Sequence, residues 1–298
     1  MDKITFTTAR ELIQLAEGNK LSIGTVVAQY EACRTETELQ TVYDQMREQL
    51  KVMKESVQEG LSEHRGHGLI VGDFAAKLLS GKQSSVLLGG PLFEKMVIYA
   101  TAVAEVNATM GRIVACPTAG SCGILPAAVL GLAEERQLSE DDILEGVFAA
   151  AGIGIVSSNV CALNGAVAGC QAECGVASAM AAAAIVAMVG SEPELVVNAA
   201  SIALQCQLGL VCDPVAGLVE IPCVYRNASG VAAALSSANL ALARIPCVIP
   251  YDEVVDTMAK IGRQMPRELK ETSLGGLATT PTGKAITKEL ALDCPAVT

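Results

Sequence analysis

The feature that most restricts how this chain can fold is a long stretch with no ionised side chain. From Gly146 to Ala172 there is no Asp, Glu, Lys or Arg, and Glu145 and Glu173 bracket the run. A stretch of that length passes for a membrane span on length alone. It also carries Ser157, Ser158, Asn159, Asn164 and Gln171 with several glycines, and no aromatic or basic belt follows it. The expectation is therefore a buried, closely packed region of a globular protein. The Ala-rich stretches 176–189 and 231–243 add good helix propensity and small side chains, which allow close backbone approach inside a helical core. No alternating apolar–polar run competes, so the reading is mainly α, with an Ala/Gly-rich helical core.

The flanking regions fit that frame. Residues 7–63 read as amphipathic helices, with Thr8 placed to cap the run that begins at Ala9 and with spaced apolar positions from Val42 to Val57. Glycines at 66, 68, 72, 81, 89 and 90 mark loops around a short helix at 74–79. Helices are expected over 93–108 and 124–136, the latter with Pro126 in a first turn that tolerates it. Another helix is expected over 252–265, followed by a Gly-rich turn at Gly275-Gly276 and a charged end. The whole chain, 1–298, reads as one domain, and a peripheral helical layer over 1–65 is the one candidate subdivision.

With 298 residues and 51% apolar side chains, the chain can supply a sizeable core. Its net charge of −11 argues against nucleic acid or an anionic membrane as partner, since phosphates would repel the surface. Eleven cysteines, with no signal peptide at the start of the sequence, suggest a reducing, cytoplasmic setting in which thiols survive. Most of them crowd between Cys116 and Cys247, which invites a metal reading.

Three cysteines differ from the rest in context: Cys170 in Ala-Gly-Cys-Gln-Ala-Glu, Cys212 in Leu-Val-Cys-Asp-Pro, and Cys223 in Ile-Pro-Cys-Val-Tyr-Arg-Asn. Pro214 and Pro222 place the last two at loops or helix ends. Their wide spacing is no ferredoxin or zinc-ribbon signature, and on spacing alone buried apolar thiols are the simpler reading. Cys174 and Cys206 lie near enough in sequence to compete as ligands, whereas Cys161 and Cys122 read as core or near-site thiols. The loop Cys116-Pro117-Thr118-Ala119-Gly120-Ser121-Cys122-Gly123 leads into a helix, an arrangement that suits anion binding by backbone amides and hydroxyls, or an ordinary tight turn. Asn107 is either a substrate contact or a local backbone partner. His64 and His67 sit in what reads as an exposed polar loop.

These segments, together with Gly89-Gly90-Pro91-Leu92, Glu105-Val106-Asn107-Ala108 and Lys270-Glu271-Thr272-Ser273-Leu274-Gly275-Gly276-Leu277-Ala278, resemble the motifs of the α chain of the iron–sulfur L-serine dehydratase family along nearly the whole sequence. The resemblance implies an ammonia-lyase that converts L-serine to pyruvate and ammonia. It also implies a [4Fe-4S] cluster held by Cys170, Cys212 and Cys223, with one iron lacking a protein ligand and acting as a Lewis acid on the substrate hydroxyl. Thr118, Ser121 and Gly123 would then hold the substrate carboxylate, with Asn107 as a further substrate contact and Arg226 and Asn227 as groups that hydrogen-bond to cluster sulfides or substrate, Arg226 alternatively forming a structural salt bridge. The general base is unassigned.

The resemblance further implies a separate β subunit and a hetero-oligomer, and it leaves Cys294 in the tail as a thiol able to approach the open iron. Two rivals stand beside this reading. One is an L-cysteine desulfidase-like lyase, because a thiophilic iron could equally assist loss of sulfide. The other is a non-catalytic iron–sulfur sensor or electron carrier. A pyridoxal phosphate route is disfavoured, since no lysine sits in a Gly-rich cofactor-binding context and no alternating βα pattern occurs.

Overall fold

The computed structural model describes residues 4–63 and 65–290. Helix α1 (Ala9–Asn19) starts where the sequence suggests: the Thr8 side chain accepts from the Glu11 backbone N–H while the Glu11 side chain reaches back to the Thr8 backbone. Helices α2 (Ile23–Thr35) and α3 (Leu39–Leu61) complete the N-terminal layer. It is stitched to the rest by carboxylates that cap helix N-termini from elsewhere in the chain. Asp252 accepts from the Ala9 and Arg10 amides at 2.7 and 3.2 Å, and Glu145 accepts from Gly24 N–H at 2.7 Å and Ser22 Oγ at 2.6 Å. Glu145, which opens the charge-free run in the sequence, thus has a structural duty.

After α4 (Phe74–Gln83) and α5 (Pro91–Ala108), α6 (Ile124–Arg136) carries Pro126 in its first turn as expected. The charge-free run becomes the second half of α7 (Glu140–Val160), a short loop and the single turn α8 (Gly165–Ala168). A π-helical turn, Gln171–Gly175, then feeds α9 (Val176–Met188), every residue of which is buried. Helices α6, α7, α10 (Pro193–Gln205) and α11 (Cys223–Leu242) surround α9, and α12 (Tyr251–Gln264) closes against α7, α8 and α10. Tyr251 and Ser157 share a buried hydrogen bond of 2.7 Å that ties α12 to α7.

Two stretches, Glu140–Val160 and Gln171–Met188, are long and apolar enough to cross a membrane, and the apolar window of the second is entirely buried inside the protein. Alanines let the surrounding helices approach α9 closely, and its larger members Ile185, Val186 and Met188 each contribute about 1.5–3 kcal/mol by burial. Among the described residues there is no β-strand, only a bridge between Cys212 and Lys270. Helix α11 begins earlier than its Ala-rich stretch suggests, at Cys223, and the charged end contains a further helix, α13 (Pro281–Glu289), against the turn Val215–Gly217.

Candidate active site

Cys170, Cys212 and Cys223 come from three segments that lie far apart in sequence, and all three line one cavity of about 240 Å3. Thr118, Gly120, Asn164, Glu173 and Glu271 line it with them. Larger surface grooves, of about 430, 450 and 500 Å3, gather no cysteine.

Each thiol is placed by local structure. Cys170 precedes the π-helical turn, and its neighbour Gln171 is wholly buried and fully used. Gln171 Nε2 donates to the Ala168 and Met258 carbonyls at 2.9 and 3.1 Å, Oε1 accepts from Gly209 N–H at 2.9 Å, and the backbone N–H donates to Leu210 O at 2.9 Å. One amide side chain thereby fixes the Cys170 segment to the strand-like stretch that carries Cys212. Gly169, at φ 75°, is needed there, because a Cβ would lie 2.7 Å from Met265 Sδ and 2.9 Å from Leu210 O.

Cys212 is held by a second backbone clamp: its N–H donates to Leu269 O at 2.9 Å and its carbonyl accepts from Glu271 N–H at 2.7 Å. Beside it Asp213 takes Arg226 Nη2 on Oδ1 at 2.7 Å and Leu277 N–H on Oδ2 at 2.8 Å, and Arg226 Nη1 donates to Val211 O at 2.8 Å. Arg226 therefore anchors the Cys212 turn through a buried ion pair. Cys223 is the first residue of α11, at a helix end as the proline pattern implies. Glu220, three residues earlier, is buried with its carboxylate on the amides of Leu69, Ile70 and Val71 at 2.8–3.0 Å.

The Thr118–Gly123 loop divides its labour. Thr118 Oγ1 faces the cavity and donates to Glu173 Oε1 at 2.8 Å. Ser121 is buried behind it and turns back onto the Thr118 and Cys116 carbonyls. Gly123 N–H donates to Asn227 Oδ1 at 2.8 Å, while Asn227 Nδ2 donates to Gly120 O and Cys223 O at 2.8 and 2.9 Å. Asn227 thus joins the loop to the helix that bears Cys223. Asn107, in the last turn of α5, does not line the cavity, nor do Ser121 and Gly123.

Burial pushes the Cys223 thiol up to about 12 and the Cys212 thiol well above its ordinary value, with the neighbouring Cys170 and Glu173 adding to both shifts. Cys170 moves the other way because Cys174, with Sγ atoms 3.3 Å apart, hydrogen-bonds to it. Burial also raises the Glu173 carboxyl, against the hydrogen bond from Thr118. Of the competing cysteines, Cys174 is buried beside Cys170 and Cys206 is exposed; neither lines the cavity. Cys122 is buried in the core and Cys161 caps the end of α7. His67 is exposed near Asp73. His64 and Cys294 lie outside the described residues.

Residues 18–278 match the family described as serine dehydratase alpha chain. The chain belongs to that family. It is 44% identical over 285 residues to the probable L-serine dehydratase, alpha chain, of Bacillus subtilis (strain 168), covering 96% of this chain and 95% of that one. It is 41% identical over 284 residues to the L-serine dehydratase, alpha chain, of Peptoniphilus asaccharolyticus, covering 95% and 97%. Against L-serine dehydratase TdcG of Escherichia coli (strain K12) the identity is 36%, over 92% of this chain and 61% of the longer protein.

Within the serine dehydratase alpha-chain fold, three cavity groups stand out that their motifs alone did not single out: Glu173, Glu271 and Asn164. Glu173 has a signal in the sequence, as the first charge after the long uncharged run. Glu271 lies in the 270–278 segment that carries part of the family resemblance, but only the bridge to Cys212 brings that segment to the cavity.

Proposed function

We propose that this chain is the α chain of an iron–sulfur L-serine dehydratase, which converts L-serine to pyruvate and ammonia. The observation that carries the reading is the meeting of Cys170, Cys212 and Cys223 around one small cavity that also holds hydroxyl, amide and carboxylate groups. Among the described residues no group of three His, Cys, Asp or Glu side chains is arranged for a single metal ion. A cuboidal cluster instead asks for thiols spread around a cavity, and this donor set fits it. Cys170, Cys212 and Cys223 would hold the cluster, each losing its thiol proton to metal binding. When bound, the cluster supplies a Lewis-acidic iron without a protein ligand, which assists departure of the substrate hydroxyl.

The chain's own residues supply the rest. The Thr118–Gly120 loop offers small residues at the cavity wall for the substrate carboxylate, and Thr118 is oriented by its bond to Glu173. Asn227, Gln171 and the Arg226–Asp213 pair keep the three thiol-bearing segments in register. The alpha-chain names of relatives of full matching length support a β subunit as partner in a hetero-oligomer, acting in the cytoplasm where thiols persist. Every cysteine among the described residues is free.

The test is anaerobic iron and sulfide analysis of single Cys→Ser variants, paired with pyruvate formation from L-serine. Cys170→Ser, Cys212→Ser and Cys223→Ser should each lose cluster and activity, while Cys174→Ser and Cys206→Ser retain iron. Full iron loading in any of the first three would remove that residue from the ligand set. Faster turnover of L-cysteine than L-serine would reassign the substrate.

A further inference from the structure

We infer that Glu271 receives the α-ammonium group of the substrate and thereby selects amino acids over carboxylic acids that lack an amine. The inference rests on the serine dehydratase reading and extends it to a residue that has no role there.

An α-amino acid presents three groups to such a cavity: a carboxylate, a side-chain hydroxyl and an ammonium. The first two are matched by the Thr118–Gly120 loop and by the thiol-held centre. The third needs an anionic acceptor that is not already engaged. Glu173 already takes the Thr118 hydroxyl on Oε1 at 2.8 Å, so part of its capacity is used in orienting the loop. Asn164 Oδ1 is spent on the Val167 amide, where it caps α8. Glu271, an exposed residue, lines the same cavity, its charge acts on Glu173, Cys212 and Cys223, and its carboxylate takes no hydrogen bond or ion pair among the described residues. Of the two carboxylates that line the cavity among the described residues, it is the one with no hydrogen-bond partner.

The backbone indicates that this placement is built in. Glu271 adopts φ 62° and Ser273 φ 56°, in the left-handed region where residues with a side chain are uncommon. Such conformations persist only where surrounding structure imposes them. Here Glu271 N–H is fixed on Cys212 O and Ser273 Oγ on Pro214 O at 2.7 Å, so the segment is clamped to both ends of the Cys212 turn. The same clamp that positions a thiol delivers the carboxylate.

The test uses the full cluster-loaded chain with its partner, and compares the affinity for L-serine with that for 3-hydroxypropionate, which has the same carboxylate and hydroxyl but no ammonium. Glu271→Gln should weaken L-serine on the order of tenfold or more, as expected for loss of a charged hydrogen bond, and leave the inhibition constant of 3-hydroxypropionate unchanged. Glu271→Gly, which suits the left-handed backbone, should show the same loss of discrimination without a lower melting temperature. Equal weakening of both compounds, or no change for L-serine, overturns the inference. Pyruvate release by the unmodified enzyme tests the serine reading itself. If that fails, the affinity ratio measured by calorimetry still decides the part played by Glu271.

Discussion

Gly165→Ala offers a test in which fold and function should separate. Gly165 is the first residue of α8 and needs no unusual backbone conformation, so alanine should add roughly 0.5–1 kcal/mol of helix stability by propensity. The added Cβ, however, would lie 2.6 Å from Cys212 Sγ and 2.7 Å from Glu173 Oε2. Ordinary contact requires the thiol, the carboxylate or α8 to retreat by about 1 Å. Neither side chain is free to do so: Cys212 is clamped on both backbone groups, and Glu173 is held by Thr118. A displacement of that size at a reacting centre costs on the order of 100-fold in rate. Overpacking of about 1–3 kcal/mol opposes the helix gain, so the expected result is a melting temperature lowered by no more than a few degrees with iron content and pyruvate formation strongly reduced. Wild-type iron uptake and turnover in Gly165→Ala would refute the placement of Cys212 at the working site, and a collapse of the melting temperature would refute the claim that the site alone is touched.

Asp213→Ala should destabilise the protein by about 3–5 kcal/mol in chemical denaturation, because it leaves the half-buried Arg226 and the Leu277 amide without their acceptor; Asp213→Asn, which keeps an oxygen, should cost less. Gly169→Ala should cost about 1–3 kcal/mol for the positive-φ, extended-ψ backbone alone, and it should also lower iron content by pushing Leu210 away from Gln171. Glu11 is held below its ordinary carboxyl value of 4.5, chiefly by hydrogen bonds from Thr7. The unfolded chain binds the proton more readily, so this contribution is present above pH 4.5 and is lost as pH falls through the lower folded value; Glu11→Gln should flatten that acid limb of the stability profile.

Much of the fold is legible in the sequence because it follows from local rules. Thr8 and Glu11 form their capping box from neighbours three residues apart, Pro126 sits in the first turn of α6, and the alanine-rich run 176–189 becomes the buried α9 with its end shifted by one residue. The early start of α11 was hidden because Pro222 and Cys223 read as a break, although a proline just before a helix is compatible with its first turn. Motif resemblance selected Cys170, Cys212 and Cys223, and the same resemblance grouped Thr118, Ser121 and Gly123 as one substrate loop.

Tertiary structure decided how that loop is used: Thr118 faces the cavity, Ser121 turns inward and the Gly123 amide is committed to Asn227. It also gave Arg226 to Asp213 and Val211, and brought Glu271 beside Cys212 through a bridge between segments remote in sequence. The sequence by itself determined the helices and the buried centre, because propensity, capping and hydrophobicity act over a few residues, whereas the three thiols were singled out by motif resemblance alone. Which polar groups share one cavity was decided only by packing, since hydrogen bonds across remote segments depend on where whole helices and turns come to rest.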